Sequence, residues 1–457
     1  LSTTLDKERE DVSLFRFSSR DRWLAVILLL ALTLRLVYVL RQDPRAPYRE
    51  SGGDTQWYLE NGYTLVTGNN PTGKHDVSRL PVAPFYLVFI GFWQAVLPPA
   101  GAIIAIRVIQ ALMGAAVVFF GFQFTYRLTD GNRRAGLLAA GVLALSPALI
   151  LDTAKILTEP VYLFWMMAGL WLYCAGTMPG AQQARRSIPM LALAGIALGL
   201  ATLTRAILLV FPLGLAVHLM WRRGRAGARQ AVVLLGMYSL VVSTWTVYNL
   251  VRWDRLVIGS EGMSSFIYVG SRGWEGPTQV DQNLNEDLPG EPGSEPRTQS
   301  SFLTAARRVI EADPVGYVKH RASELARAYL QPYGTGDFAN NNLQERFRLW
   351  ITHDRSLGGL TDLVGDNAFL PKLVIYVFHF SGLIFGTAGI WLYRRKWMAA
   401  PLSGLILYTT LVHLVILVLP RYLFPLYPVF WIFAAAFLVT EWDRRRSVQS
   451  AVSGTGD

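Results

Sequence analysis

The sequence predicts an all-α polytopic membrane protein, and three observations carry that expectation. Apolar runs long enough to cross about 30 Å of hydrocarbon recur along the chain. The composition agrees: of 457 residues, 52% are hydrophobic and 16% charged, less charge than a soluble chain of this length carries. The arginines gather in short clusters between apolar runs, at alternate connections, which is the mark of topogenic charge. The net charge of +11 is accounted for by those clusters, so no nucleic-acid partner is expected.

The first run, 23–40, follows Arg16, Arg20 and Arg22 and has no small-residue cleavage site after it. It reads as a retained signal anchor behind a cytoplasmic segment, 1–22. Further spans are expected at 102–126, 135–150, 160–177, 188–203, 206–221, 231–248, 371–393, 400–419 and 422–440, about ten in all. The clusters Arg127/Arg133/Arg134, Arg185/Arg186, Arg222 to Arg229, Arg394/Arg395/Lys396 and Arg444 to Arg446 then fall on one side, the cytoplasmic one. Residues 82–98 are apolar too, but short and bounded by prolines. They are expected as interfacial helices on the outer leaflet, within a first outer loop 41–101. The alternative is a true span that inverts everything downstream.

The organisation expected is a transmembrane core, 23–248, an outer loop subdomain, 249–370, C-terminal spans, 371–440, and a cytoplasmic tail, 441–457. In the large outer loop, Asp281 to Pro296 is acidic and rich in Pro and Gly, which reads as flexible. Residues 301–331 carry a helical period, so the subdomain should be small and mainly helical. The one cysteine, Cys174, lies in an apolar run, and no intramolecular disulfide can form.

On this topology ionisable groups converge on the outer surface. Asp54, Lys74, His75, Asp76 and Arg79 lie in the first loop, Asp152, Lys155 and Glu159 in the second. Arg205 and Arg421 sit at tight turns between spans. Charges at membrane depth cost about 2.5–3.5 kcal/mol on insertion scales and need a partner or a task. Cations there suit a lipid-linked phosphate, and an acid suits removal of a proton from a hydroxyl. Each residue also has a plainer reading. Asp54 could cap a helix beginning at Thr55. Glu159 could favour the start of a helix at Pro160. Lys155 could reach up to headgroups. Arg205 and Arg421 are more specific, because no long polar loop holds them and the guanidinium fork matches phosphate. Trp57, Tyr58, Tyr63, Phe85, Tyr86 and Trp93 read as an interfacial aromatic belt.

Several chemistries find no motif. The histidines, including His75, show no metal-ligand spacing, so a divalent metal is not indicated and no soluble cofactor is required. There is no Walker loop, dinucleotide glycine fingerprint, H-E-x-x-H or G-x-S-x-G.

Seven motifs in order resemble one known group. They are Asp54-Thr-Gln-Trp-Tyr58 with Gly68, Arg79-Leu-Pro-Val-Ala-Pro84-Phe-Tyr86, Arg107 through Arg134, Ser146-Pro147 through Lys155 with Thr158-Glu159-Pro160, Leu203-Thr204-Arg205, Trp245-Thr-Val-Tyr248-Asn249, and Pro420-Arg421-Tyr422 with Pro425 and Pro428. Over residues 23–440 the chain resembles GT-C membrane glycosyltransferases, in the branch of protein O-mannosyltransferases and lipid A aminoarabinose transferases. The resemblance implies a GT-C fold and transfer of a sugar from a polyprenyl-phosphate donor to a hydroxyl acceptor on lipid, glycan or protein. It implies an integral protein of a bacterial plasma membrane with its site on the extracytoplasmic side. By position, Asp54 would be the catalytic base and Glu159 the second-loop acid. Arg79, Lys155, Arg205 and Arg421 would bind the donor phosphate, with Tyr58, Lys74, His75, Asp152 and Tyr422 in support. The chain departs from the family at Thr55, where a second acid often follows the first. It also has no large extra C-terminal soluble domain. A lipid-linked-sugar flippase or other transporter is the alternative, but transporters place charge near the midplane and show related halves. A membrane scaffold that binds a partner through 249–370 is a third reading.

Overall fold

The computed structural model describes residues 22–49, 53–69, 82–178, 181–273, 299–338 and 343–453, with isolated positions between 274 and 298. Lys74, His75, Asp76 and Arg79 lie outside the described residues. The described elements are helices: α1 (Arg22–Arg41), α2 (Ala46–Arg49), α3 (Gly53–Thr67), α4 (Phe85–Val96), α5 (Pro99–Leu128), α6 (Arg133–Leu145), α7 (Pro147–Asp152), α8 (Glu159–Gly176), α9 (Ala181–Thr204) and α10 (Phe211–Trp253). The outer loop holds α11 (Met263–Arg272), α12 (Gln299–Ala312), α13 (Pro314–Leu330), α14 (Leu343–Leu349) and α15 (Leu357–Val364). The chain closes with α16 (Phe369–Tyr393), α17 (Ala399–Val415), the short α18 (Pro420–Leu423) and α19 (Tyr427–Ser453).

A helix stands at every position where a span is expected. Among the described residues, six helical stretches are by themselves long and apolar enough to cross a membrane, and they include α1, α5, α10 and α16. Where helices and expected spans differ in length, the reasons are local. The run 135–150 is broken because Ser146 precedes Pro147. A residue before proline is pushed out of the α region, and Ser146 takes ψ 115°. The runs 206–221 and 231–248 are the arms of α10, folded back on one another. Gly224 has φ 53°, and a Cβ on Gly227 would lie 2.1 Å from the carbonyl oxygen of Leu219. The reversal is pinned higher up, where the Tyr238 hydroxyl donates to the Leu209 carbonyl at 2.8 Å.

The core is built around α8, whose residues from Glu159 to Leu163 and Met166 to Trp171 are buried, packed chiefly on α5 and α9. At one end of the bundle lie the connections expected to be cytoplasmic. Lys396 pairs with Asp130, the Asn132 amide donates to Asp443 at 3.2 Å, and Arg127 lies 5.6 Å over the ring of Trp171. Residues 41–49, 53–54, 152–159, 205 and 421 gather at the other end.

The run 82–98 forms only α4, twelve residues or about 18 Å of helix, too short to span. It packs on α3 through Leu59, Tyr86 and Ile90, with Tyr58 edge-on to Tyr86 at 5.2 Å. In the outer loop, the helical period over 301–331 is realised as two helices. Pro314 begins the second, and the Asp313 carboxylate caps it by accepting from the Gly316 amide at 2.8 Å.

Candidate functional site

Three carboxylate–cation pairs join the candidate residues at this end of the bundle, besides the exposed Arg49–Asp43 pair. Helix α3 begins at Gly53, two residues earlier than the capping reading requires, so Asp54 lies inside the first turn. There the helix dipole favours an acid. Its carboxylate pairs with the Arg421 guanidinium, 367 positions along the chain. Asp54 remains 48% exposed at its side chain, so it faces open space as well as its partner. Arg421 Nε is buried without a hydrogen-bond partner.

Glu159 opens α8, followed by Pro160 at a position where a missing N–H costs nothing. Its side chain is only 3% exposed and accepts from Arg205 Nη1 at 2.8 Å. Arg205 lies 4.8 Å over the ring of Tyr422 and 5.7 Å over that of Tyr162. Arg421 lies 5.1 Å over the same Tyr422 ring. Tyr422 is therefore a floor shared by both arginines, and the first two pairs are neighbours.

The third pair, like the first two, was not visible in the sequence as a pair. Lys155 Nζ lies 2.8 Å from Asp337 and donates to the Tyr333 hydroxyl at 3.3 Å. The Tyr333 hydroxyl donates in turn to Asp152 Oδ1 at 3.0 Å. Asp152 is 2% exposed. Burial, and after it the charge of Glu159, push its carboxyl up to about 8. Burial, then the charges of Glu159 and Asp54, push the Tyr58 hydroxyl above its ordinary value, with Arg205 and Arg421 pulling the other way. Tyr58 thus feels the charges of both of the first two pairs.

Residues within the spans hold the second loop in place. On α5, Gln110 donates to the carbonyls of Thr153 and Lys155, both at 2.9 Å, and Arg107 Nε donates to that of Ala154 at 2.8 Å. The Tyr86 hydroxyl bonds Gln110 Oε1 at 3.3 Å and ties α4 to the same network. The signal was present in the sequence: Arg107 and Gln110 are polar, one helical turn apart, in an otherwise apolar run. Tyr333 and Asp337 gave no signal, since only tertiary packing returns 333–337 to 152–155.

The outer loop also sets the approach to Arg421. Arg321 on α13 is 1% exposed and donates to the carbonyls of His413 (2.9 Å), Gly270 (3.1 Å) and Ile416. The Leu417 amide donates to the Phe266 carbonyl at 3.0 Å. The end of α17 is thereby fixed to α11 and α13, and Arg421 follows within a few residues. Among the described residues no group of three His, Cys, Asp or Glu side chains is placed to hold a metal ion.

Comparison with known proteins bears on the fold. Residues 93–253 match the family model described as dolichyl-phosphate-mannose-protein mannosyltransferase. The oligosaccharyltransferase of Archaeoglobus fulgidus superposes with a TM-score of 0.51 at 14% identity, over 95% of this chain and 52% of that one. The fold is of the GT-C type. The GT-C fold here spans about half the length of that oligosaccharyltransferase. ArnT of Cupriavidus metallidurans, solved with undecaprenyl phosphate, also resembles the chain, with a TM-score of 0.42 and 14% identity over 91% of this chain and 77% of that one. No curated protein sequence matches the chain. The second loop, Arg205 and the span before the outer loop lie within the matched stretch, whereas Asp54 and Arg421 lie outside it.

Proposed function

We propose that the chain is a membrane glycosyltransferase that moves a sugar from a polyprenyl-phosphate donor to a hydroxyl acceptor on the extracytoplasmic face, with inversion at the anomeric carbon. The observation that carries this reading is the pairing of exposed Asp54 with Arg421 beside the buried Glu159–Arg205 pair, at one end of a GT-C bundle. An accessible acid adjoining two guanidinium groups is the equipment for deprotonating a hydroxyl while a phosphate leaves.

Asp54 takes the proton of the acceptor hydroxyl. The hydroxyl oxygen forms its bond to the anomeric carbon as the bond from that carbon to the phosphate oxygen breaks, and the electron pair departs with polyprenyl phosphate. Arg421 and Arg205 stabilise that charge, since each guanidinium has five N–H donors and the carboxylates use only some of them. The resting Asp54–Arg421 contact gives an order to the steps. Donor phosphate on Arg421 frees the Asp54 oxygens for the acceptor, so donor binding precedes acceptor activation. Glu159, buried and committed to Arg205, orders the site rather than meeting the acceptor. Lys155, held by Asp337 and Tyr333, contributes positive charge from the second loop, with Asp152 and Tyr58 in support. Lys74, His75 and Arg79 would join from the first loop.

The test is mass spectrometry of lipid that copurifies with the protein. A polyprenyl phosphate, with or without its sugar, is expected on the wild type and lost from Arg421→Ala. Equal recovery from both would remove Arg421 from the donor site.

A further inference from the structure

A charged residue stands inside the first membrane span, and the proposed chemistry does not use it. Arg35 lies on α1 and is 1% exposed. Its guanidinium donates to three backbone carbonyls: Ala31 at 3.0 Å on its own helix, Leu143 at 3.1 Å and Ala144 at 3.3 Å. The last two belong to the final turn of α6, where the chain breaks at Ser146–Pro147.

The choice of carbonyls has a chemical reason. In a continuous helix the Leu143 carbonyl would accept from the N–H of residue 147. Proline has none, and the turn at Ser146 ends the helical ladder before Ala144 can be served in the usual way. In hydrocarbon no water can replace those bonds. Arg35 supplies donors to the acceptors that the break orphans. Space for it comes from α5, where a Cβ on Gly114 would lie 2.7 Å from Arg35 Nε and 3.7 Å from Thr153 Oγ1. A side chain at Gly114 would thus meet both Arg35 and Thr153 of the second loop.

We infer that Arg35 is a positioning residue. It holds the α6–α7 break open, and the break directs α7 so that Asp152 meets Tyr333 and the following loop delivers Lys155 and Glu159. Its relevance to transfer rests on the proposed glycosyltransferase reading; its hold on the second loop does not.

The test uses the full chain in lipid nanodiscs, with hydrogen exchange of residues 151–158, thermal melting and sugar transfer read together. Arg35→Met should lower the melting temperature and raise exchange in 151–158 at least tenfold. Adding Pro147→Ala returns an N–H to the Leu143 carbonyl and lets α6 run on. In that double variant, melting should recover towards the wild type. Exchange in 151–158 should stay at least tenfold raised, and transfer at least tenfold reduced. A purely structural arginine would show the opposite, with exchange and transfer recovering along with melting, and that result overturns the inference. Should Arg35→Met fail to fold, Gly114→Ala crowds the guanidinium without removing it, and unchanged exchange in 151–158 there would equally overturn it. If the wild type transfers no sugar from any polyprenyl phosphate tried, the glycosyltransferase reading falls, and the exchange data still decide the role of Arg35.

Discussion

Asp152 keeps its proton to about pH 8 when folded, because it is buried beside Glu159, whereas an unfolded carboxyl releases it near 3.8. Between those values the folded state binds more protons than the unfolded one, so this group's contribution to stability is full below about pH 4 and declines as pH rises to 8. Thermal melting of the wild type should fall across pH 6 to 8.5, and Asp152→Asn should remove that part of the slope. At the neighbouring pair, Arg205→Met would leave Glu159, 3% exposed, without its counter-charge. A loss of about 3–5 kcal/mol is expected from breaking a buried pair in this way, measurable by denaturation in detergent. Removing both charges with Glu159→Gln and Arg205→Met should restore part of it. Asp54, Glu159, Arg205 and Arg421 were legible because each is an ionisable group against an apolar run. Their pairing was not, since Asp54 and Arg421 are separated by nearly the whole chain.

Among the elements, proline and glycine decided most of what the apolar pattern left open. Pro147 cuts one expected span into α6 and α7, Pro314 opens α13 just behind α12, and Gly224 turns α10 back on itself. The arginines from Arg222 to Arg229 had already marked that reversal in the sequence. The docking of the outer loop was not legible. It depends on Arg321, which looks like an ordinary surface arginine in its sequence but is 1% exposed. Arg321→Met should cost about 1–3 kcal/mol for each buried carbonyl left unserved and should raise exchange over 413–419. Melting temperature and exchange both unchanged would show that α13 is held by its apolar contacts alone.

For the whole molecule, the basic connections and the three carboxylate–cation pairs lie at opposite ends of one bundle, which the alternation of arginine clusters anticipated. The same alternation predicts which end faces outward. Val315→Cys, at a position 64% exposed, should react with a membrane-impermeant maleimide in intact cells, and Arg395→Cys only after permeabilisation. Cys174 is buried and should stay silent. Labelling of both positions from the same side would contradict the topology. The GT-C fold was legible from the order of motifs, because spans and turns dictate it. The sugar and the acceptor are set by loop geometry that no motif encodes. The central claim concerns chemistry at Asp54, and the most direct measurement is sugar transfer by purified protein in vesicles loaded with polyprenyl-phosphate sugar. Asp54→Asn should reduce turnover by about 10²–10⁴-fold, the usual worth of a general base, while the variant still retains copurifying donor. Turnover by Asp54→Asn equal to the wild type would contradict it.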